Sequence, residues 1–226
     1  MDKNNDNLVS LSYEKLKEGI ILGDFAPGEK LQIEKLKAYV GVGPTPIREA
    51  LSRLTATGLI ETALNRGFFV KPVSIEEVRD IYSTFIKIEL LAMEQAMNLG
   101  DSAWEANIIA ALYKLGTIEK STNADINLHD WLKANHELHF AIIAGCKSPS
   151  LLKIREDLYQ LFDRYCHLAM SLKKVSFRTN HKDHEALVKA VIARDKLKAI
   201  ELMTRHLEGS LNLVVEKLKE NSNGKK

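Results

Sequence analysis

Four polar side chains in the second half of the chain are of types that bind divalent metal ions. Asn135 and His139 are four residues apart, so a helix places both on one face. His184 and His206 each lie among apolar residues of two further segments with helical periodicity. Imidazoles directed inward from three helices suit a divalent transition metal with one open coordination position. The residues alone leave a second interpretation open, three buried histidines that only make hydrogen bonds.

A second group of residues, within 39–70, has the order of a nucleic-acid-binding module. An amphipathic helix entered through a Thr-Pro step is followed by two short strands, with Asn65-Arg66-Gly67 as the turn between them. This is the order of a recognition helix followed by a hairpin wing. The pattern predicts contact with DNA and favours transcriptional control over catalysis.

Three helices must position this module. Apolar periodicity and Gly/Pro stops predict the first two over 12–22 and 32–41. The third helix is predicted to start after Pro44-Thr45-Pro46, with Thr45 as its capping residue and Pro46 suited to its first helical position. Residues 60–63 and 68–71 are the predicted wing strands.

The remainder of the chain has helical periodicity with few breakers. Ser74 and Glu77 form a predicted capping box, and the tail 220–226 is predicted to be disordered. The helices are predicted near 75–98, 102–121, 125–146, 149–174, 177–194 and 196–219. The expected fold is mainly α: a winged helix-turn-helix of three helices plus a β-hairpin wing over residues 1–74, then an all-α bundle of six to seven helices over 75–226.

Composition limits the class of protein. With 226 residues, 45% hydrophobic and 27% charged, the chain can form a small domain and a second one of about 150 residues. Two cysteines fit a reducing compartment rather than a disulfide framework. No stretch approaches the ~20 apolar residues of a membrane span, and the N-terminus lacks a signal-peptide pattern. We therefore expect a cytoplasmic protein with no membrane partner.

The charge of the N-terminal module is nearly balanced. Residues 1–74 carry ten Lys and Arg against nine Asp and Glu, a net charge of +1. Because phosphate contacts dominate DNA affinity, a single copy should bind weakly. Two copies on two half-sites double those contacts. The expected partner is therefore a double-stranded, pseudo-palindromic operator bound by a homodimer.

Spaced motifs cover nearly all of residues 12–71. They are Pro27-Gly28-Glu29-Lys30-Leu31, the run GVGPTPIREALSRL over 41–54, Gly58-Leu59-Ile60 and Arg66-Gly67-Phe68-Phe69-Val70. With these motifs the N-terminal half resembles the GntR family of bacterial regulators. The resemblance implies a winged helix-turn-helix that binds DNA.

The second half carries a different set of motifs. They are Leu138-His139, Asp183-His184-Glu185-Ala186-Leu187, Ala190-Val191, Arg194-Asp195, Met203 and His206-Leu207. These residues resemble the ligand-binding FCD domain of the FadR subfamily. Within that subfamily, the Gly-Val-Gly-Pro turn and the segment Ala144-Gly145-Cys146 look closest to regulators of carbon starvation and glutarate-type catabolism.

The resemblance implies which residues touch DNA. Many relatives carry Ser-Arg where this chain has Gly43-Pro44, which removes one cation that could read a base or a phosphate. Arg48 can still offer a planar fork to guanine or phosphate. The alternative for Arg48 is an ion pair with a neighbouring Glu, and for Arg53 a merely solvated helix face. The predicted DNA-binding residues are Thr45, Pro46, Arg48, Arg53, Arg66 and Gly67.

The resemblance also implies a metal site in the helical half. Sites of this family use an acidic or amide residue four positions before a first His, together with two later His. Here these are Asn135, His139, His184 and His206, and the expected metal is Zn, Ni or Mn. Relatives commonly have Asp at the first position, so the uncharged amide of Asn135 should lower the affinity.

A further departure concerns the effector cavity that the resemblance implies. Phe85 stands where many relatives place an Arg, four residues before Glu89. A carboxylate effector would then need its counter-charge from the metal or from another cation. The candidate cation is Arg164, with Tyr165 and Tyr82 as hydroxyl donors, and the alternative for Arg164 is a plain ion pair.

Three functions compete at this point. The leading one is a homodimeric, metabolite-responsive transcription regulator acting as a repressor, which is not an enzyme. The second is a His-ligated metalloenzyme with an appended nucleic-acid module, which lacks an evident general base near the histidines. The third is a helical domain that only dimerises the DNA-binding heads.

Overall fold

The computed structural model describes residues 3–63, 66–120, 127–170 and 177–223. The chain folds into two compact units. The first is Met1–Val78 with Gln160–Leu168, and the second is Arg79–Tyr159 with Ala169–Lys226. The division falls four residues after the predicted domain boundary at residue 74, and that boundary stays a prediction.

The first unit has three helices and a hairpin around one apolar cluster. The elements are α1 (Lys3–Leu22), α2 (Ile33–Val40), α3 (Pro44–Ala56), β1 (Ile60–Ala63) and β2 (Gly67–Val70). Leu16, Leu36, Ile47, Leu51 and Leu54 are fully or almost fully buried in that cluster. Their spacing on each helix is the amphipathic pattern that the sequence shows.

Helix α1 begins nine residues before its predicted start at residue 12. Val9 is completely buried, so the helix gains apolar contact well before that position. Ser12 lies inside the helix, where its hydroxyl donates to the Leu8 carbonyl at 2.7 Å. A serine that bonds back to the preceding turn in this way does not mark a helix start.

The start of α3 also differs from the prediction. Gly43 is the extended residue before the helix, Pro44 occupies the first helical position, and no side chain caps the first turn. Thr45 is therefore not the cap. Pro44 suits the first position because its missing N–H would have no partner there.

The hairpin pairs β1 with β2 antiparallel, from Ile60 opposite Val70 to Ala63 opposite Gly67. Gly67 has φ +96°, a conformation that side chains rarely adopt, so this turn favours glycine. Residues 64 and 65 of the turn lie outside the described residues. The Leu31 N–H donates to the Phe68 carbonyl at 2.9 Å and fixes the hairpin to the segment before α2.

The segment after the wing contacts residues 160–168 within the first unit. The Arg164 guanidinium donates to the Lys71 carbonyl. The Tyr165 hydroxyl donates to the Glu77 carboxylate at 2.7 Å. Ser74 caps the next helix by accepting the Glu77 N–H at 3.0 Å, but the Glu77 carboxylate is engaged by Tyr165 and Lys71. The capping box is thus formed on one side only.

Six helices complete the described chain. They are α4 (Ile75–Leu99), α5 (Ser102–Glu119), α6 (Leu128–Ala144), α7 (Pro149–Met170), α8 (Phe177–Ile192) and α9 (Lys196–Asn223). Asp101 caps α5 through the Trp104 N–H at 2.9 Å, and Asn127 caps α6 through the His129 N–H at 3.0 Å. The predicted fold class, a winged helix-turn-helix followed by an all-helical domain, is confirmed. The predicted disorder from residue 220 is wrong as far as Asn223, because α9 continues to that residue.

Among the described residues, no helix combines the length and the apolar character that crossing a membrane requires.

Candidate metal centre and nucleic-acid-binding residues

Three helices of the second unit bring His139, His184 and His206 together. One ring nitrogen of each can lie within 4.8 Å of the others. The ring centroids are 6.0 Å apart for His139 and His184, 5.2 Å for His139 and His206, and 4.7 Å for His184 and His206. The structure therefore places at one point the three imidazoles that the sequence predicts to converge.

The apolar faces of the helices turn these rings inward. On α6, His139 follows buried Leu138 and precedes buried Ile142 and Ile143. On α8, His184 has buried neighbours at Leu187 and Val188. His206 on α9 stands beside buried Leu207 and Met203 in the same way. Because positions three and four apart share a helix face, packing of the leucines and valines fixes the direction of the rings.

A bound cation would satisfy two of the unsatisfied buried polar atoms of these residues, Asn135 Oδ1 and His184 Nε2, whereas the Nδ1 atoms of His139 and His184 face carboxylates. Among the described residues, Asn135 Oδ1, His139 Nδ1 and both ring nitrogens of His184 have no hydrogen-bond partner. An unsatisfied buried polar atom costs about 1–3 kcal/mol. Asn135 lies one turn before His139 on the same helix face. Its oxygen and the three imidazoles form a donor set that fits a divalent transition metal.

Two buried carboxylates lie next to the Nδ1 atoms of two of these histidines. Glu89 on α4 places Oε1 3.3 Å from His139 Nδ1, and Glu119 at the end of α5 places Oε1 3.2 Å from His184 Nδ1. Both glutamates have less than 2% of their surface exposed. Sequence reasoning assigned no role to Glu89 and did not find Glu119. The available signal was an acidic residue on a buried helix face, which is rare unless the residue is paired.

Arg155 on α7 is the buried partner of Glu89 and is likewise absent from the sequence-based prediction. Its side chain is 0% exposed, and its Nε donates to Glu89 Oε2 at 2.9 Å. The guanidinium carbon lies 5.2 Å from the Phe85 ring centroid and 4.7 Å from that of Tyr159. The signal in the sequence is an arginine four residues after buried Leu151, within the apolar stripe of α7.

This cluster shifts the pKa values of its members. Burial alone would raise the pKa of Glu89, but the Arg155 guanidinium and the His139 ring together lower it to about 2. Burial, and then the charge of Arg155, lowers the pKa of His136 to about 3. The Nδ1 of His136 lies 3.2 Å from Arg155 Nη1. Burial lowers the pKa of His206 well below its usual value, which favours the neutral imidazole that a metal requires.

The predicted effector-binding residues fall into two places. Phe85 and Tyr82 are buried in the second unit, where Phe85 lies under Arg155 and the Tyr82 hydroxyl is 3.1 Å from Ser210 Oγ. Arg164 and Tyr165 belong to the first unit, where they contact Lys71 and Glu77. The structure thus joins Phe85 to the Glu89 cluster and does not join Arg164 or Tyr165 to it. The effector role of all four stays a prediction.

The predicted DNA-binding residues lie on α3 and the wing. Thr45, Arg48, Arg66 and Gly67 are exposed, whereas Pro46 is buried and can only shape the first turn of α3. Arg53 Nη2 is 2.7 Å from Glu49 Oε1, with side chains 51% and 42% exposed. The ion pair considered as the alternative for Arg48 is therefore found at Arg53. Their DNA contacts stay predictions.

Comparisons with known proteins agree with this arrangement. Residues 12–70 match the model of the bacterial regulatory proteins of the gntR family, and residues 80–209 match the FCD domain. The chain is 33% identical to the HTH-type transcriptional regulator BphR of Paraburkholderia xenovorans strain LB400, over 92% of this chain and 85% of the relative. It is 35% identical to the HTH-type transcriptional repressor GlaR of Escherichia coli strain K12, over 86% and 90%.

A solved structure shows the same fold. E. coli McbR/YncC superimposes with a TM-score of 0.79 at 21% identity, covering 93% of this chain and 98% of that one. The two family models confirm both halves of the sequence resemblance. The chain belongs to the GntR family of bacterial regulatory proteins, carries an FCD domain, and is a transcriptional regulator rather than an enzyme.

Proposed function

We propose that this regulator is a homodimeric repressor, acting in the cytoplasm, whose affinity for a specific operator is controlled by a small carboxylic acid bound at a metal site in its FCD domain. The repressor role is supported by the relative GlaR, which carries that name. The observation that carries the effector site is the convergence of His139, His184 and His206, together with an unsatisfied Asn135 oxygen one helical turn before His139.

On DNA, α3 supplies the base contacts and the wing supplies backbone contacts. Arg48 is exposed in the first half of α3 and can reach guanine O6 and N7 with its two-pronged guanidinium. Of the first four backbone positions at the start of α3, Pro44 and Pro46 carry no N–H, so the N–H groups of Gly43 and Thr45 are the ones available for a phosphate. Arg66 and the small Gly67 are exposed at the tip of the wing, where they can approach the duplex closely.

Dimerisation compensates for the low charge of the module. A net charge of +1 over residues 1–74 gives one copy few phosphate contacts. Two copies on a pseudo-palindromic operator double that number, and the spacing of half-sites then becomes part of the specificity.

In the FCD domain, Asn135 and the three histidines would hold a Zn, Ni or Mn ion. The metal would supply a positive centre with an open position for a carboxylate oxygen of the effector. The chain's own residues set the surroundings: the apolar faces of α6, α8 and α9 hold the imidazoles in place, and burial keeps His206 neutral. Asn135 contributes no charge, so we expect weaker metal binding than an Asp would give.

The switch is a coupling of two binding equilibria. An effector that favours one conformation of the dimer and DNA that favours another weaken each other by the same factor. The test is a fluorescence anisotropy titration of a duplex selected by the protein from a random-sequence pool. Short dicarboxylates, hydroxy acids and amino acids are added in turn, with Zn²⁺ or with a chelator.

We expect one of these acids to weaken DNA binding when metal is present, and His184→Ala to abolish that response. His129→Ala, at an exposed position on α6, is the matched control and should respond as the wild type does. An acid that raises the melting temperature yet leaves DNA affinity unchanged would contradict the switch.

A further inference from the structure

The carboxylates behind the histidines have a geometry that ordinary burial does not explain. Glu89 and Glu119 come from different helices, yet each places Oε1 3.2–3.3 Å from the Nδ1 of a different histidine of the trio. Neither contact has the direction of a hydrogen bond, and both Nδ1 atoms are unsatisfied among the described residues. A small rotation of each ring would align an N–H with its carboxylate.

We infer that Glu89 and Glu119 are positioning residues of the metal site, an inference that rests on the proposed metal site itself. Each carboxylate holds the Nδ1 side of one histidine and thereby turns the Nε2 of that ring toward the shared centre. A carboxylate on the far nitrogen fixes the tautomer and the orientation of a ligand histidine and increases its basicity.

Two neighbouring side chains, Trp131 and His181, hold the carboxylate of Glu119. The Trp131 indole N–H donates to Glu119 Oε1 at 3.1 Å. His181 Nδ1 lies 2.9 Å from the other oxygen, Oε2, and His181 Nε2 lies 2.9 Å from Glu185 Oε1. Each oxygen of Glu119 thus has a polar partner other than His184, and these contacts restrict rotation of the carboxylate.

Gly116 makes this arrangement possible. It lies one turn before Glu119 on α5, and a Cβ at this position would come within 2.9 Å of His181 Cε1. Any larger residue would push the imidazole of His181 away from Glu119. The glycine thus leaves room for one of the two groups that anchor the carboxylate.

Glu89 is anchored differently. Arg155 holds it with two N–H groups, at 2.9 Å and 3.4 Å. Removing Glu89 would take away the buried carboxylate that pairs with Arg155 and would destabilise the domain for a reason unrelated to metal. Glu119, anchored by an indole and an imidazole, is therefore the residue on which the inference is tested.

The experiment measures Co²⁺ and Zn²⁺ affinity of the full chain by competition with a chromophoric chelator. The d–d absorption of bound Co²⁺ is recorded as a measure of coordination geometry. For Glu119→Gln we expect a 10- to 100-fold loss of metal affinity, the range known for such outer carboxylates, and an altered Co²⁺ spectrum. Trp131→Phe keeps the carboxylate but removes one anchor, so we expect a smaller loss in the same direction.

Glu105→Gln is the matched control. It makes the same substitution on the same helix, at a carboxylate that pairs with Arg194 at 2.7 Å rather than with a histidine. It should leave both affinity and spectrum as in the wild type. The melting temperature of each metal-free variant shows whether it is folded, and Trp131→Phe provides the answer should Glu119→Gln not fold.

Different results would overturn the metal site and the positioning role of Glu119. Wild-type protein that binds neither Co²⁺ nor Zn²⁺ overturns the metal site and the inference with it. Wild-type protein that binds metal, with unchanged affinity and spectrum in Glu119→Gln and Trp131→Phe, overturns the positioning role alone.

Discussion

The candidate binding residues of the two units lie in different surroundings, although the first unit also buries one arginine, Arg164. The first packs leucines and isoleucines around α3 and keeps its predicted DNA-contacting cations, Arg48 and Arg66, at the surface. The second buries its distinctive groups, among them Glu89, Glu119 and Arg155, inside the helical core. A surface cation can be exchanged without affecting folding, whereas a buried charge depends on its partner. Stability and function should therefore separate at the exposed DNA-binding surface of the first unit and remain linked at the buried cluster of the second.

The largest effect is expected when the buried ion pair is broken. Arg155→Met leaves the carboxylate of Glu89 without its cation and should lower the free energy of unfolding by about 3–5 kcal/mol, measured by urea denaturation. The double variant Glu89→Gln/Arg155→Met removes both charges and should recover much of the loss.

Arg194→Met is the control for that experiment. Its pair with Glu105 is about one-third exposed on each side, so its loss should cost about 1 kcal/mol or less. Equal costs for Arg155→Met and Arg194→Met would mean that burial does not distinguish the two ion pairs.

The second-largest effect on stability is expected when metal is removed. A ligand at one hundred times its dissociation constant stabilises the folded state by about 2.7 kcal/mol. We therefore expect Zn²⁺ to raise the melting temperature, a chelator to reverse the shift, and His206→Ala to show neither. A shift of the same size in His206→Ala would place the metal elsewhere.

On the first unit, Arg48→Ala should weaken operator binding by about 1–3 kcal/mol, roughly 5- to 150-fold, as expected for a lost bidentate base contact. The free energy of unfolding should change by less than about 0.5 kcal/mol because the side chain is exposed. Anisotropy titration and urea denaturation of the same preparation measure both. If Arg48→Ala lowered both stability and DNA affinity, stability and function would not be separable at this surface.

The smallest effect is expected at Arg53. Its exposed pair with Glu49, four residues earlier on α3, is worth about 0.3–0.5 kcal/mol. Arg53→Ala should change stability by no more than that and should affect DNA binding less than Arg48→Ala does. A DNA-binding loss as large as that of Arg48→Ala would assign Arg53 a direct contact.

The same contrast explains how much the sequence could predict. In the first unit the wing turn at Gly67 and the end of α2 at Gly41, with φ +85°, follow from local residue preferences. These preferences were ambiguous at two helix starts, because more than one structural role was open to the residues there. Pro44 and Pro46 can each start a helix, and Ser12 can cap a helix or bond back within it, so these two helix starts were misplaced.

In the second unit, local sequence patterns predict the helices and the histidines but not which distant residues pair. The histidines could be found because each has apolar neighbours at helical spacing. Glu89 and Arg155 are 66 residues apart in sequence, and neither pattern alone shows that the other will be its partner. Arg164 lies on the same helix as Arg155, and nothing in a continuous helical pattern indicates that residues 160–168 pack with the first unit.

The buried charges of the second unit bear on what the proposed metal site can attract. Glu89, Glu119 and Arg155 contact the histidines or one another, and their formal charges sum to one negative charge. Adding a divalent cation turns that sum into one positive charge. The interior would then repel a carboxylate when metal-free and attract it when loaded. Metal availability would thus decide whether an acidic metabolite can be sensed at all.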